Sequence, residues 1–423
     1  MKQAAMGRRG LVAAVAGALL ALAPVAQADA ETTSTGERAE LAPLYGTDAA
    51  RAIAGAYIVV LSGAESEQRA QEVRATAVAA GATITGQYGH ALKGFAATLP
   101  AEALEAVRES AGVEFVEADS TVSIPATPDE ASRPERETSP DGVQRRATWG
   151  LDRVDQRLGG FGYLDGRYRY GSTGAGVTAY VIDTGIRITH ADFEGRARHG
   201  FTSIGSTAND CNGHGTHVAG TVGGQRWGVA KDVGLVAVRV LNCKGNGTTS
   251  GVIEGIDWVT GDADDQSVAN LSLGGSPSVA LDNAVAGSIA AGITYAVAAG
   301  NSTEDACNFS PARVGAAITV GATDDWDWDA WFSNWGTCLD LFAPGDSITS
   351  AWKRSDTAKK TISGTSMAAP HVAGAAALYV EAHPAATPQQ VRDAIVGGST
   401  PNKISFVYGG PGSPNRLLFS RLG

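Results

Sequence analysis

Residues 177–185 have the sequence VTAYVIDTG, an apolar run of strand length that ends in an aspartate and a glycine turn. Further apolar runs of strand length follow at 235–241, 268–273, 293–299 and 316–320. Because these runs are apolar on both faces and alternate with helical stretches, they indicate an α/β domain whose mostly parallel sheet is flanked by helices on both faces. Functional residues of such sheets gather beyond the carboxyl ends of the strands. We therefore expect Asp183, near the end of the first run, to lie at the functional site.

Two other motifs place a histidine and a serine at the beginning of helices. Residues 212–220 have the sequence NGHGTHVAG and residues 364–374 have the sequence GTSMAAPHVAG, so His214 and Ser366 each lie close to a glycine. A serine hydroxyl is a poor nucleophile and needs a general base, for which an imidazole is suited. A carboxylate such as that of Asp183 can hold the imidazole in one tautomer. The three motifs together predict a catalytic triad of Asp183, His214 and Ser366.

These motifs, together with AAGN at 298–301, resemble the subtilisin superfamily of serine peptidases, and its proteinase K and aqualysin branch in particular. The similarity extends from WGLDR at 149–153 to PNRLL at 414–418. It implies a serine endopeptidase that hydrolyses peptide bonds through an acyl-enzyme on Ser366. It also implies that the side-chain amide of Asn301 and the backbone N–H of Ser366 stabilise the oxyanion.

The same resemblance assigns a cleft for protein and peptide substrates. An extended peptide would add as a strand between two backbone edges. A pocket lined by small residues would leave room for a large side chain, which predicts broad cleavage with a preference for hydrophobic or aromatic residues. The residues assigned to the two edges and the pocket are Gly245, Asn246 and Gly247, then Ser272, Leu273 and Gly274, and finally Ala298, Ala299 and Gly300.

Structural calcium is a further implication of the resemblance, at one or two sites. Hard oxygen ligands in loops suit Ca²⁺. The first site would use the carboxylate of Asp340 with the backbone carbonyls of Gly315 and Ala317. Solvated surface acids are the alternative at both sites, because backbone ligands cannot be identified from sequence. The second site would use Asp152, Asp155 and Gln156.

The first 28 residues predict export. Lys2, Arg8 and Arg9 precede an uncharged apolar run that ends in AQA at 26–28, a pattern typical of a signal peptide. The apolar core at 11–23 is shorter than the roughly 20 residues that a membrane-spanning helix needs. We therefore expect a secreted, extracellular protein without a membrane anchor.

The region at 29–124 predicts a small separate domain. Strand and helix patterns alternate there in the order β-α-β-β-α-β, which indicates a ferredoxin-like α+β fold. The domain resembles the inhibitor-like propeptides of the family, which implies an intramolecular chaperone and inhibitor of a zymogen. A flexible linker at 125–147, rich in proline and charge, would contain or adjoin the maturation site. The peptidase domain would then span 148–423.

Charge and cysteine content indicate which partners and which covalent cross-links to expect. The formal net charge is −11 and no basic stripe is present, which argues against nucleic acid as a partner. We expect a monomer. In an exported chain, four cysteines are candidates for disulfides, and three pairings are possible, of which the simplest joins neighbours. The cysteines are Cys211, Cys243, Cys307 and Cys338.

Two other functions remain open at this point. GTSMA at 364–368 nearly matches the elbow motif of an α/β-hydrolase esterase, but that fold needs an acid and then a histidine after the serine. The last histidine, His383, is preceded only by Glu381 in a predicted helix. A catalytically inactive binding protein on the same fold is the second alternative.

The stretch DWDWD at 325–329 departs from the family pattern and is predicted to be an exposed acidic loop, because it lacks the glycine and terminal glutamate of a calcium-binding loop.

Overall fold

The computed structural model describes residues 41–125, 129–130, 142–160 and 162–422. The predicted signal at 1–28 and parts of the predicted linker at 125–147 lie outside the described residues. Within the described ranges, no helix is both long enough and apolar enough to cross a membrane.

The N-terminal part of the described chain forms a sheet with two helices. The sheet order is β1-β5-β2-β4-β3. The predicted β-α-β-β-α-β order is confirmed, because two helices connect the four longer strands in that sequence. The elements are β1 (Leu44–Tyr45), β2 (Ala52–Leu61), α1 (Glu67–Ala79), β3 (Thr83–Tyr88), β4 (Gly94–Thr98), α2 (Ala101–Arg108) and β5 (Val113–Ser123).

Alternation along β2 determines how this domain packs. Val59 and Leu61 face the two helices of the domain and pack with Val73 and Phe95. The intervening Ile58 and Val60 belong instead to the core that the domain shares with the larger sheet. Side chains of a strand point alternately to opposite faces, so both faces of this strand are covered. The small sheet therefore lies between its own helices and the rest of the protein.

β5 is longer than the sequence pattern predicts. The apolar pattern ends at Val116, whereas the strand continues to Ser123. Its last three residues pair in antiparallel fashion with β12 (Asn246–Thr248). The partner strand is more than a hundred residues away in the chain, so local periodicity carries no signal for this extension.

The larger part of the chain is built on a nine-stranded sheet in the order β10-β11-β9-β13-β14-β15-β16-β20-β19. All neighbouring strands are parallel except the last pair. The remaining strands of the chain are β6 (Asp129–Glu130), β7 (Val143–Arg145), β8 (Arg167–Arg169), β9 (Thr178–Asp183), β10 (Ala197–Thr202), β11 (Gly234–Arg239), β13 (Ser267–Leu271), β14 (Thr294–Ala298), β15 (Ile318–Thr323), β16 (Leu341–Pro344), β17 (Ile348–Ala351), β18 (Lys359–Ile362), β19 (Thr400–Pro401) and β20 (Arg416–Leu417).

Helices cover both faces of this sheet, which confirms the predicted fold class. Along β9, Ala179 and Val181 pack into one core with the helices α4 and α7, while Tyr180 and Ile182 pack into the other core with α5 and α6. The last helix begins with a capping box between Thr387 and Gln390. The helices are α3 (Trp149–Val154), α4 (His214–Gly223), α5 (Thr249–Asp262), α6 (Val279–Ala290), α7 (Thr365–Ala382) and α8 (Pro388–Gly398), with short 3₁₀ turns at Ala191–Phe193 and Ala306–Asn308.

The cysteines are bonded between neighbours, as Cys211–Cys243 and Cys307–Cys338. The first bond ties the segment before α4 to the segment before β12. Neither bond spans the two sheets.

The acidic, tryptophan-rich loop differs from its prediction in one respect. Its rings are exposed, with Trp326 at 50% and Trp328 at 39%. Two of its three acids are buried, because Asp327 forms an ion pair with Arg153 and Asp329 accepts the backbone N–H groups of residues 407 and 408. The carboxylates therefore hold the loop together rather than face solvent.

Candidate active site

The predicted acid and base meet at the carboxyl end of the sheet. Asp183 is the last residue of β9 and His214 is the first residue of α4. The imidazole Nδ1 lies 2.9 Å from both carboxylate oxygens of Asp183. Both side chains are buried, and the N–H of Thr184 donates a further hydrogen bond to Asp183. A proton on Nδ1 therefore faces the carboxylate, and Nε2 is left as the basic nitrogen.

A residue that the sequence analysis missed positions the histidine. The carboxylate of Asp210 accepts the backbone N–H groups of Asn212, Gly213 and Thr216, and also the hydroxyl of Thr216. The N–H groups of Gly213, the N-cap, and of Thr216 belong to the first turn of α4, where donors have no partners within the helix. Burial raises the pKa of Asp210 above its ordinary value. An aspartate four residues before a helix histidine was a weak signal that could have been used.

The serine begins α7 with an unusual helix hydrogen bond. Pro370 has no N–H to donate to the carbonyl of Ser366, four residues before it. The hydroxyl of Ser272 donates to that carbonyl instead, at 2.9 Å. The first turn of α7 is thus tied to the edge segment that the sequence assigned to substrate binding.

The hydroxyl of Ser366 is not hydrogen-bonded to the imidazole of His214 in this structure. The hydroxyl of Ser366 donates to the backbone carbonyl of Ser272 at 3.1 Å. Nε2 of His214 is buried and has no hydrogen-bond partner among the residues that the structure describes. The structure therefore brings the acid and base into contact, while the hydroxyl of Ser366, in the first turn of α7, is bonded to the segment that contains Ser272.

The amide of Asn301 is held in one orientation. Its Oδ1 accepts the backbone N–H of Thr365 at 2.9 Å and the hydroxyl of Thr365 at 2.7 Å. A backbone N–H can only donate, so the atom that faces it must be the oxygen, and the NH₂ group points the other way. This arrangement is the one that a donor to a developing oxyanion requires.

Asn334 supports the loop that carries Asn301, and no motif in the sequence points to this role. Its Oδ1 accepts the N–H groups of Ser302 and Glu304, and its Nδ2 donates to the carbonyl of Ala299. Gly300 has a φ of +105°, and a Cβ there would lie 2.4 Å from Nδ2 of Asn334. Glycine is therefore required at this position for the loop to close on its support.

The two predicted substrate edges are occupied by the end of β5. Ser123 and Gly274 exchange backbone hydrogen bonds of 3.1 and 3.2 Å, and the N–H of Ile124 donates to the carbonyl of Gly245 at 3.0 Å. A cavity of about 240 Å³ lies beside this ladder. Its walls include Leu273, Gly274, Ala298, Ala299, Gly300, Asn301 and Phe309, together with Ser123 at the end of β5 and Pro125, the first residue of the predicted linker.

Two more histidines lie near the site without taking part in it. Nε2 of His217 donates to the carbonyls of Ile348 and Lys360, and burial lowers the pKa of this ring to about 3. His371 contacts the carbonyl of Met367, and burial lowers its pKa to about 4. Both rings are neutral structural groups. Across the described ranges, no group of three or more histidine, cysteine, aspartate or glutamate side chains is arranged to hold a metal ion.

The first predicted calcium site disagrees with the structure. The guanidinium of Arg392 donates to Oδ1 of Asp340 at 2.5 Å and to the carbonyl of Ala317 at 3.3 Å. An arginine therefore bridges two of the three predicted ligands, the third being Gly315. The second oxygen of Asp340 accepts the N–H of Thr319. These residues do not fit a calcium ion, because a cationic side chain takes the place of the ion.

The second predicted site fits a cation. Asp152 lies in α3 and Asp155 is its C-cap residue, and both residues are 2% exposed. The amide of Gln156 donates a hydrogen bond to Asp152. Burial raises the pKa of Asp152 to about 7 and that of Asp155 to about 6. Oδ1 of Asp155 is a buried carboxylate oxygen without a hydrogen-bond partner in the described part of the chain. A hard cation would complete this oxygen-rich group.

Comparison with known proteins agrees with this geometry. The subtilase family matches residues 174–410 and the peptidase inhibitor I9 family matches residues 56–125. An extracellular serine proteinase of Thermus sp. (strain Rt41A) is 50% identical over 400 residues, which are 90% of this chain and 92% of that protein. Alkaline serine exoprotease A of Vibrio alginolyticus is 49% identical over 335 residues, which are 79% of this chain and 59% of that protein.

A solved structure extends the agreement to the fold. The crystal structure of a cold adapted subtilisin-like serine proteinase superimposes with a TM-score of 0.62 and 54% sequence identity. The match covers 65% of this chain and 98% of that one. The esterase and the inactive binding protein are thus set aside, since the matching relatives are serine proteinases. Separately, the subtilisin-like fold is one that generally binds calcium. The chain belongs to the subtilase family and is a subtilisin-type serine endopeptidase that carries an I9 inhibitor-like propeptide.

Proposed function

We propose that the protein is a secreted endopeptidase whose catalytic residues are Asp183, His214 and Ser366, with Asn301 as the oxyanion donor. The observation that carries this assignment is the contact of Nδ1 of His214 with both oxygens of Asp183 at 2.9 Å. It leaves Nε2 as the only basic imidazole nitrogen, at the carboxyl edge of the sheet where Ser366 begins its helix.

The residues support acyl transfer in the following way. Nε2 of His214 takes the hydroxyl proton as Ser366 attacks the substrate carbonyl, and Asp183 stabilises the resulting imidazolium. The negative oxygen of the tetrahedral intermediate is met by the NH₂ of Asn301 and by the N–H of Ser366. The imidazolium then gives its proton to the leaving amine. Water repeats the sequence on the acyl-enzyme and releases the acid.

The cavity supports cleavage after hydrophobic or aromatic residues. The wall residues of the peptidase part, from Leu273 and Gly274 to Ala298, Ala299 and Gly300, carry no charge. Their small side chains leave an apolar space, whereas a lysine or aspartate side chain would lose its hydration there without gaining a partner. We expect peptides with phenylalanine or leucine before the cut to be hydrolysed faster than peptides with lysine. Equal rates for the two would contradict this specificity.

The chain organisation is proposed as a signal at 1–28, a propeptide at 29–124, a linker at 125–147 and a peptidase at 148–423. Support comes from the I9 match at 56–125 and from the seating of β5 in the cleft. The propeptide binds as a substrate does, and so inhibits the site and templates its assembly. A monomeric, extracellular enzyme without a membrane anchor completes the proposal.

One structural calcium ion is proposed, at Asp152, Asp155 and Gln156. When bound, the ion would supply positive charge to two buried carboxylates that lack enough donors. The chain itself supplies the backbone N–H groups of Gly166 and Asp165 and the amide of Gln156 to Asp152. To Asp155 it supplies the backbone N–H of Arg169 and, at 3.6 Å, its guanidinium. At Asp340 the cation is Arg392, and no ion is proposed.

Replacement of the nucleophile tests the proposal. Ser366→Ala should abolish casein hydrolysis, prevent labelling by a fluorophosphonate, and leave an uncleaved precursor. Ser355→Ala is a matched control, since Ser355 is exposed and lies away from the catalytic triad. Mature enzyme formed by the Ser366→Ala variant without added protease would refute the proposed self-processing.

A further inference from the structure

The end of the propeptide lies in the cleft with a fixed register. Ser123 and Gly274 donate to and accept from one another, which makes them a hydrogen-bonded pair of an antiparallel ladder. Such pairs recur at every second residue along each strand. The next pair beyond Ser123 and Gly274 therefore consists of Pro125 and Ser272.

Ser272 is the residue whose carbonyl contacts the nucleophile, at 3.1 Å from Oγ of Ser366. Pro125 lines the same cavity as Asn301. The register thus brings the residue opposite Ser272 to the part of the cleft that holds the nucleophile and the oxyanion donor. We propose that the first self-cleavage breaks the peptide bond between Pro125 and Ala126, and that Pro125 itself slows this cleavage. The inference rests on the proposed function of Ser366 and narrows it to one bond.

Proline slows the cleavage because it has no backbone N–H. An ordinary residue at this position would donate to the carbonyl of Ser272. In the precursor that carbonyl accepts the hydroxyl of Ser366 instead, and Nε2 of His214 has no partner within the described ranges. The proton of the nucleophile therefore points away from its base. The propeptide is bound like a substrate and yet disfavours attack on itself.

The chemical step is ordinary amide hydrolysis. Oγ of Ser366 bonds to the carbonyl carbon of Pro125, and its proton moves to Nε2 of His214. The C–N bond to Ala126 breaks, and the proton passes to that nitrogen, which becomes the new amino terminus. Water then cleaves the ester, and Pro125 becomes the carboxyl terminus of the released propeptide.

The cut position can be measured in the unaltered protein. The precursor is allowed to convert, samples are quenched at early times, and the carboxyl terminus of the propeptide is determined by mass spectrometry. Early samples avoid later trimming of the new amino terminus. We expect the propeptide to end at Pro125. An initial propeptide fragment that ends at any other residue would overturn the assignment, while Ser366-dependent conversion would leave the proposed function standing.

The slowing effect is tested by restoring the missing donor. Pro125→Ala and Pro125→Leu should convert faster than the unaltered precursor, by about 5-fold or more, which corresponds to about one hydrogen bond. Pro134→Ala, a proline change elsewhere in the linker, is the control and should leave the rate unchanged. Conversion of both Pro125 variants at or below the unaltered rate would overturn the role of Pro125. If neither variant folds, the carboxyl terminus of the unaltered propeptide still decides the position.

Discussion

The two predicted calcium sites began with the same kind of argument and differ in the structure. At Asp340 a guanidinium from α8 fills the space between the carboxylate and a backbone carbonyl. At Asp155 the guanidinium of Arg169 lies 3.6 Å from Oδ2, while the buried Oδ1 has no hydrogen-bond partner among the described residues. The difference teaches that the requirement in this fold is for positive charge at each position, which a side chain can supply as well as an ion.

The largest expected effect is a pH dependence that calcium removes. The pKa values of Asp152 and Asp155, about 7 and about 6, lie above the ordinary value of 3.8 because of burial. Between about pH 4 and pH 7 the unfolded chain therefore releases these protons before the folded chain does. Stability contributed by the protonated forms is present at low pH and is lost as the pH rises through 6 and 7. The two shifts together correspond to a loss in chelator of at most about 7 kcal/mol.

The measurement compares two melting curves at each pH. Enzyme inactivated by a phosphonate on Ser366 is unfolded in chelator and in excess calcium from pH 4 to pH 8. Buried His217 and His371, whose pKa values are lowered, change stability equally in both series, so the difference isolates the carboxylates. We expect the difference in melting temperature between excess calcium and chelator to increase from pH 4 to pH 7. A gap that is constant with pH would show that calcium does not bind these acids.

The next effect concerns the arginine at the other site. Arg392→Ala should destabilise the fold by about 2 to 3 kcal/mol, because the mostly buried carboxylate of Asp340 loses its cation. The variant should also gain a calcium-dependent rise in melting temperature that survives removal of Asp155. Arg198→Ala breaks an exposed pair with Asp262 and serves as the control, with a loss below about 1 kcal/mol. A calcium response identical to that of the unaltered protein would mean that the Asp340 pocket cannot be converted to an ion site.

The elements and residues that local sequence patterns specify could be predicted from the sequence. Strands that are apolar on both faces predicted the parallel sheet, and Asp183, His214 and Ser366 stand in short motifs at the ends of elements. Residues that act through tertiary contacts could not be predicted in this way. Asn334 holds the loop of Asn301 from another part of the chain, and Arg392 reaches Asp340 across 52 residues.

The continuation of β5 shows the same limit. Residues 117–120 still pair with β2, whereas residues 121–123 continue the strand by pairing with β12, and Ser123 also pairs with Gly274. The period-2 pattern of a strand reports burial of its side chains and not the identity of its partner. From the sequence, the maturation site could therefore be predicted only to lie within or near the linker. The register of the ladder is what narrows our proposal to the bond between Pro125 and Ala126.

The smallest effect follows from removing one charge at the calcium site. Asp155→Asn keeps the oxygen that accepts the N–H of Arg169 and neutralises the oxygen that has no described partner. In chelator at pH 8 the variant should be more stable than the unaltered protein by about 1 kcal/mol, since the cost of a buried charge exceeds that of an imperfectly paired amide. In excess calcium the order should reverse, because the variant has lost an anionic ligand. Melting temperatures in the two buffers test this reversal, with Asp356→Asn, at an exposed acid, as the control. A variant that keeps the full calcium response would place the ion elsewhere, and the contrast between the two sites would then rest on Arg392 alone.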